Sequence, residues 1–204
     1  MMKSHKITGG GGIQLHLVET GNSKGRPILF IHGFSQCWLA WSRQMSSDLT
    51  DDYRLVAMDM RGHGLSEKPR DGYSDSRLWA DDVNAAIQAL RLDHPILCGW
   101  SYGPLVILDY IRHYGEDGIS GVHFVGAITK LGSDEAMSVL TPEFLNLVPG
   151  FFGTGGRREC TQPGVVVANV LHPRALSRRC VPDAGIQSVR PALCPSGAVL
   201  SLVR

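Results

Sequence analysis

Residues Ile96–Tyr110 read ILCGWSYGPLVILDY. A short apolar run leads into Gly99-Trp100-Ser101-Tyr102-Gly103, and a mostly apolar helical pattern follows at once. A strand that turns sharply into a helix needs small residues two before and two after the turn, because the two arms approach closely there. Gly99 and Gly103 meet that need, and the residue between them is a serine. Such a turn holds the serine in a strained conformation and lifts its hydroxyl above the carboxyl ends of the strands, where open α/β sheets bind ligands. The first amides of helix 102–114 point at the same place. Pro104 is tolerated in the first turn, whose N–H groups have no intrahelical partner. Ser101 is therefore the candidate nucleophile.

Working outward, strands and helices alternate. Segment 27–31, PILFI, is continuously apolar, as a buried parallel strand is, while 13–19, IQLHLVE, alternates like a half-exposed edge strand. RLVAMDM at 54–60, PILCGW at 95–100 and GVHFVGAIT at 121–129 read as further strands. Trp38, Trp41, Met45 and Leu49 suggest a helix over 38–49, and Trp79, Val83, Ile87 and Leu90 mark the clearest helix of the chain. This order predicts βαβ units, a parallel sheet and helices on both of its faces. Residues 135–152 are apolar but broken by Pro142 and Pro149, which suits the start of a lid, and beyond Gly153 VVVANVL at 165–171 and AVLSLV at 198–203 are the candidate strands.

His32-Gly33-Phe34 follows strand 27–31, the strand expected beside the one that carries Ser101. The backbone amides of Phe34 and Tyr102 are the candidate oxyanion donors, groups worth about 3 kcal/mol each to a tetrahedral transition state. Asp59-x-Arg61-Gly62-His63-Gly64-x-Ser66 reads as structural: the glycines allow a tight loop, Arg61 can pair with a carboxylate, and His63 is a loop histidine.

FIHGF, DMRGHGLS and GWSYGPLVILDY, in this order and spacing, resemble the α/β-hydrolase superfamily, and GWSYG followed by DYIRHYGE resembles its cofactor-free haloperoxidase and esterase branch most. The resemblance covers residues 1–152. It implies an α/β fold of three layers with a mostly parallel sheet, an esterase-type serine hydrolase, a lid, a small ester-like substrate, and no metal or organic cofactor. It also implies a catalytic acid after the sixth or seventh strand and a histidine after the eighth.

Three histidines follow Ser101. His113 lies too far along the helix, and His123 is expected at the end of a strand remote from the site. His172 stands in VLHPRAL, and chain order permits Ser101–Asp134–His172, yet nothing around His172 resembles the family's histidine loop. The expectation is a nucleophile whose base is missing.

Composition points the same way. The chain has 204 residues, 43% hydrophobic and 19% charged, with a net charge of +1, so it suits a globular domain and shows no overall bias towards polyanions. All fifteen aromatic residues and all five lysines precede Gly153. Residues 153–204 hold seven arginines, two acids and three of the five cysteines, with poor material for a core. The sequence divides into a core over 1–134, a lid start over 135–152 and an atypical, loosely packed tail over 153–204. That tail resembles the translation of a GC-rich gene in a shifted frame, which would leave the sheet incomplete at its C-terminal edge and impair activity. A nucleic-acid-binding tail is a weaker reading, since the arginines lack aromatic neighbours and helical spacing. The scattered cysteines give neither a disulfide framework nor metal spacing. MMKSHKITGGGGIQ has no apolar run after its lysines, and no stretch approaches the roughly 20 apolar residues of a spanning helix, so a cytoplasmic location is expected.

Overall fold

The computed structural model describes residues 1–130, 134, 138, 140–143, 146 and 201–203. The lid segment and the tail, with His172 and the candidate strand 165–171, otherwise lie outside the described residues.

The strands are β1 (Lys3–Thr8), β2 (Gln14–Gly21), β3 (Arg26–Ile31), β4 (Tyr53–Met58), β5 (Ile96–Trp100), β6 (Gly121–Val125) and the short β7 (Ser201–Val203). They form one sheet in the order β1-β2-β4-β3-β5-β6-β7. The centre is parallel: β3 lies between β4 and β5, and β5 pairs with β6. β2 runs antiparallel to both β1 and β4, and β7 runs antiparallel to β6. The helices are α1 (Leu49–Asp52), α2 (Ser76–Ala89) and α3 (Gly103–Tyr114).

Period-two alternation in β3 and β4 divides the core between two faces. Leu29, Ile31, Val56 and Met58 pack with Trp79, Val83 and Ile87 of α2 and Val106 and Ile107 of α3. Ile28, Phe30, Leu55 and Ala57 pack on the opposite face with Trp41 and Met45. Each such buried side chain is worth about 1.5–3 kcal/mol. The continuously apolar strands are thus covered on both sides, giving three layers, as the sequence predicts. α2 begins where the Asp75 side chain accepts the Arg77 amide, and α3 ends at Gly115 with φ +78°.

Four expectations need correction. The helix over 38–49 is instead two short 3₁₀ turns, Trp38–Trp41 and Gln44–Ser46, followed by the four-residue α1. Its apolar spacing serves to bury Trp41 and Met45, and the chain is pinned at its entry because the Trp38 amide donates to Asp59 Oδ1 at 2.6 Å. Second, β2 is not an edge strand. The polar KSHKIT segment forms β1 outside it, so the polar residues His16 and Glu19 are buried and need partners. Third, β4 ends at Met58 and β6 at Val125, short of residues 60 and 129, because the chain leaves the sheet to build the loops above it. Fourth, His123 is not at a strand end; it sits mid-strand, opposite Cys98. Of the candidate tail strand 198–203, Ser201–Val203 pairs with β6, antiparallel rather than parallel. Among the described residues no helix is long and apolar enough to cross a membrane.

Candidate active site

Ser101 occupies the turn between β5 and α3 with φ +55°, a region that side-chain-bearing residues enter only under constraint. The constraint is visible on both arms. A Cβ on Gly99 would lie 2.7 Å from the Pro104 nitrogen, and one on Gly103 would lie 2.4 Å from the Ile31 carbonyl oxygen. Only glycine lets α3 fold back this tightly over β3 and β5. The turn is also stitched to the segment after β6: the Ser101 amide donates to the Val125 carbonyl at 3.0 Å, and the Ile128 amide donates to the Ser101 carbonyl at 2.8 Å.

The loop after β3 reaches the same point. A Cβ on Gly33 would stand 3.2 Å from the Ser101 Cβ, so this backbone lies directly against the serine. The Phe34 and Tyr102 rings face each other with centroids 6.1 Å apart, and Trp79 meets Tyr102 edge-on at 5.8 Å. Phe34, which follows Gly33, and Tyr102, which follows Ser101, thus bring two rings to the arms on either side of the serine, while Trp79 is buried in the core.

The polar residues under this loop hold it in place. His32 is fully buried; its Nδ1 donates to the Gly33 carbonyl at 2.7 Å, and its Nε2 accepts the Met60 amide at 3.1 Å. Burial, reinforced by nearby His63, holds its pKa down at about 3, so the ring is neutral. His63 is the residue whose role the sequence understates. It is buried, its Nδ1 donates to the Arg61 carbonyl at 2.8 Å, and its Nε2 accepts the Ser35 amide at 3.2 Å. Burial likewise lowers its pKa. Ser35 itself is held at φ +59°, so His63 braces a strained residue next to Phe34. With both nitrogens engaged, His63 is a brace and not a base, in keeping with its reading as structural. Nothing in its sequence position distinguishes a buried brace from an exposed loop histidine.

Arg61 pairs with a carboxylate, as expected. It makes two bonds to Asp82, at 2.7 and 2.8 Å, and donates to the carbonyls of Gly10, Gly72 and Leu78.

Of the other candidates, His113 is held elsewhere and His172 lies outside the described residues. His113 Nε2 is 3.0 Å from Ser76 Oγ and joins α3 to α2. Asp134 is exposed. Among the described residues no hydrogen bond joins the Ser101 hydroxyl to a histidine, and no group of three or more His, Cys, Asp or Glu is arranged to hold a metal ion.

Residues 26–155 match the family model described as the alpha/beta hydrolase fold. Over 106 residues the chain is 37% identical to Epoxide hydrolase 1 of Caenorhabditis elegans, covering 51% of this chain and 26% of that protein. It is 32% identical over 117 residues to Non-heme chloroperoxidase CPO-A1 of Kitasatospora aureofaciens, covering 57% and 42%. The crystal structure of the esterase RhEst1 from Rhodococcus sp. ECU1013 superposes with a TM-score of 0.68 at 39% identity, covering 74% of this chain and 55% of that one. The chain thus spans between about a quarter and a little over half of these relatives' lengths.

Proposed function

Because the chain belongs to the α/β-hydrolase family, we propose that it is built around a serine esterase site in which Ser101 attacks the carbonyl carbon of a small carboxylic ester. One observation carries this reading: Ser101 alone of the elbow residues is held at positive φ, on a turn that two glycines close and a third abuts. Strain at a single serine of such a turn has no packing use, whereas it presents a nucleophile.

In this reading the Phe34 and Tyr102 amides receive the carbonyl oxygen as it gains charge. The placement of Gly33 against Ser101 and the bracing of Ser35 by His63 support that role, since a fixed loop needs no reorganisation when the charge forms. The half-buried rings of Phe34 and Tyr102 offer an apolar bed for the acyl or leaving group. Serine chemistry also favours esters over epoxides. Attack by a hydroxyl on an epoxide leaves an ether, which water does not readily release, while attack on an ester leaves an acyl-serine that water can hydrolyse.

A second reading keeps the pocket without turnover. It is favoured by the lack, among the described residues, of a histidine bonded to Ser101, since loss of a triad member commonly removes several orders of magnitude in rate. We therefore expect the 204-residue chain to be a weak esterase. Release of p-nitrophenol from p-nitrophenyl acetate tests both readings. Slow release that disappears in Ser101→Ala supports the impaired enzyme, while release equal in the two chains leaves only the binding module. Rapid turnover lost in His172→Ala would show that the Ser101–Asp134–His172 triad forms after all.

A further inference from the structure

A serine–histidine–aspartate relay lies at the β1 edge of the sheet, away from the elbow. Ser4 Oγ on β1 is 2.9 Å from His16 Nε2 on β2, and His16 Nδ1 is 2.8 Å from Asp59 Oδ2 just beyond β4. The register explains the first contact. Ser4 faces Val18, and His16 lies two residues from Val18, so Ser4 and His16 are diagonal neighbours on one face of the β1–β2 pair.

The second contact is fixed more firmly. The Asp59 amide donates to the His16 carbonyl at 2.9 Å, and Ser66 Oγ accepts the His16 amide at 2.9 Å while donating to the Asp59 carbonyl at 2.6 Å. The Asp59 carboxylate also accepts the Trp38 and Leu65 amides. Gly64 leaves room for it, because a Cβ there would lie 2.2 Å from Asp59 Cγ.

Chemistry then sets the direction of each proton. An ionised carboxylate can only accept, so His16 Nδ1 carries the hydrogen and donates. In the neutral ring Nε2 is left as an acceptor, and Ser4 donates its hydroxyl proton to it. The result is an exposed hydroxyl hydrogen-bonded to a buried, carboxylate-oriented imidazole: His16 is 4% exposed and Asp59 0%. These are the roles that define a serine nucleophile with its base and orienting acid, whatever the chain order.

We propose that Ser4 is a second nucleophile of this chain, independent of Ser101, and that it takes up the phosphoryl or acyl group of an activated ester. In the step, Ser4 Oγ forms a bond to the phosphorus or carbonyl carbon, and the bond to the leaving group breaks with its electron pair. The serine proton passes to His16 Nε2 and from there to the departing anion or to water. Asp59 holds the ring in the required tautomer and faces the positive charge as it forms. Ser4 lies within a regular strand, with no sharp turn to aim two amides at a charged oxygen. The adduct therefore accumulates once and is not turned over.

The test uses the full chain carrying Ser101→Ala, treated with diisopropyl fluorophosphate, with adducts located by peptide fragmentation and mass spectrometry. Fluoride is then the leaving group. The expected result is an adduct on Ser4 that forms faster than on the other exposed serines, and which His16→Gln slows on the order of 100-fold. Absence of an adduct on Ser4 overturns the proposal. So does an unchanged rate in a folded His16→Gln chain, or a rate at Ser4 no greater than that of the other exposed serines. If His16→Gln loses its native circular dichroism, the rate at Ser4 relative to the other exposed serines of the Ser101→Ala chain decides alone.

Discussion

At Ser101 the fold and the proposed chemistry make opposite demands. A residue bearing a Cβ in the left-handed region gives up about 1 kcal/mol, which glycine would not. Ser101→Gly should therefore be more stable than Ser101→Ala by about 1 kcal/mol in urea denaturation, although both lose the hydroxyl. Equal stabilities would mean that the turn at φ +55° is not strained. The neighbouring glycine acts in the other direction. At Gly103 a methyl group would meet the Ile31 carbonyl at 2.4 Å, and a backbone atom in a paired central strand has no room to yield. Gly103→Ala should cost about 1–3 kcal/mol by the overpacking it forces. A denaturation midpoint unchanged from the parent chain would show that α3 can slide away from β3.

Among the elements, α2 is anchored by one buried pair. Arg61 and Asp82 are each 1% exposed, and through Arg61 the pair joins α2 to the loop after β4 and to the turn at Gly10. Asp82→Ala leaves an uncompensated guanidinium in the interior, so it should destabilise the chain by about 3–5 kcal/mol, measured by the denaturation midpoint. A loss below about 1 kcal/mol would mean that water reaches Arg61. Elements were legible in the sequence where packing alone shaped them. The apolar β3, β4 and β5 and the one-faced α2 were readable because burial on two faces or one writes its period directly into the residues. The polar β1 was not, since an edge strand such as KSHKIT buries little and carries no such period. The apolar spacing of Trp38, Trp41 and Met45 suits a helix and the observed 3₁₀ turns alike, since both place those side chains on one side. At the candidate site the turn around Ser101 was legible from its glycines. The brace from His63 to Ser35 and the Ser4–His16–Asp59 relay were not, because their partners lie 28, 12 and 43 positions apart and meet only through the sheet.

Across the whole molecule, buried imidazoles tie stability to pH. His32 and His63 have folded pKa values below the usual 6.5, in each case chiefly through burial. The unfolded chain binds a proton at each ring as pH falls below about 6.5, while the native His32 does not until about 3. The unfolded state therefore holds more protons in that window, so stability is fully present above 6.5 and declines as pH falls. Each neutral ring contributes about 1.4 kcal/mol per pH unit. Glu19, lowered mainly by its bond to Arg54, adds to the decline at lower pH still. Urea denaturation should thus show a loss of about 1 kcal/mol from His32 between pH 6.5 and 5.5, because the unfolded ring is only half protonated at the start of that window, with His63 adding to the loss in the same direction. A flat profile there would mean that the native fold does not keep the His32 ring neutral. The site of failure is also specified. Protonation turns His63 Nε2 from an acceptor of the Ser35 amide into a donor that opposes it. Hydrogen exchange on acidification should therefore expose the Ser35 amide before the amides of β3 and β5. Simultaneous loss of protection at all of them would place the first acid-sensitive contact elsewhere and remove His63 as the brace of the loop beside Ser101.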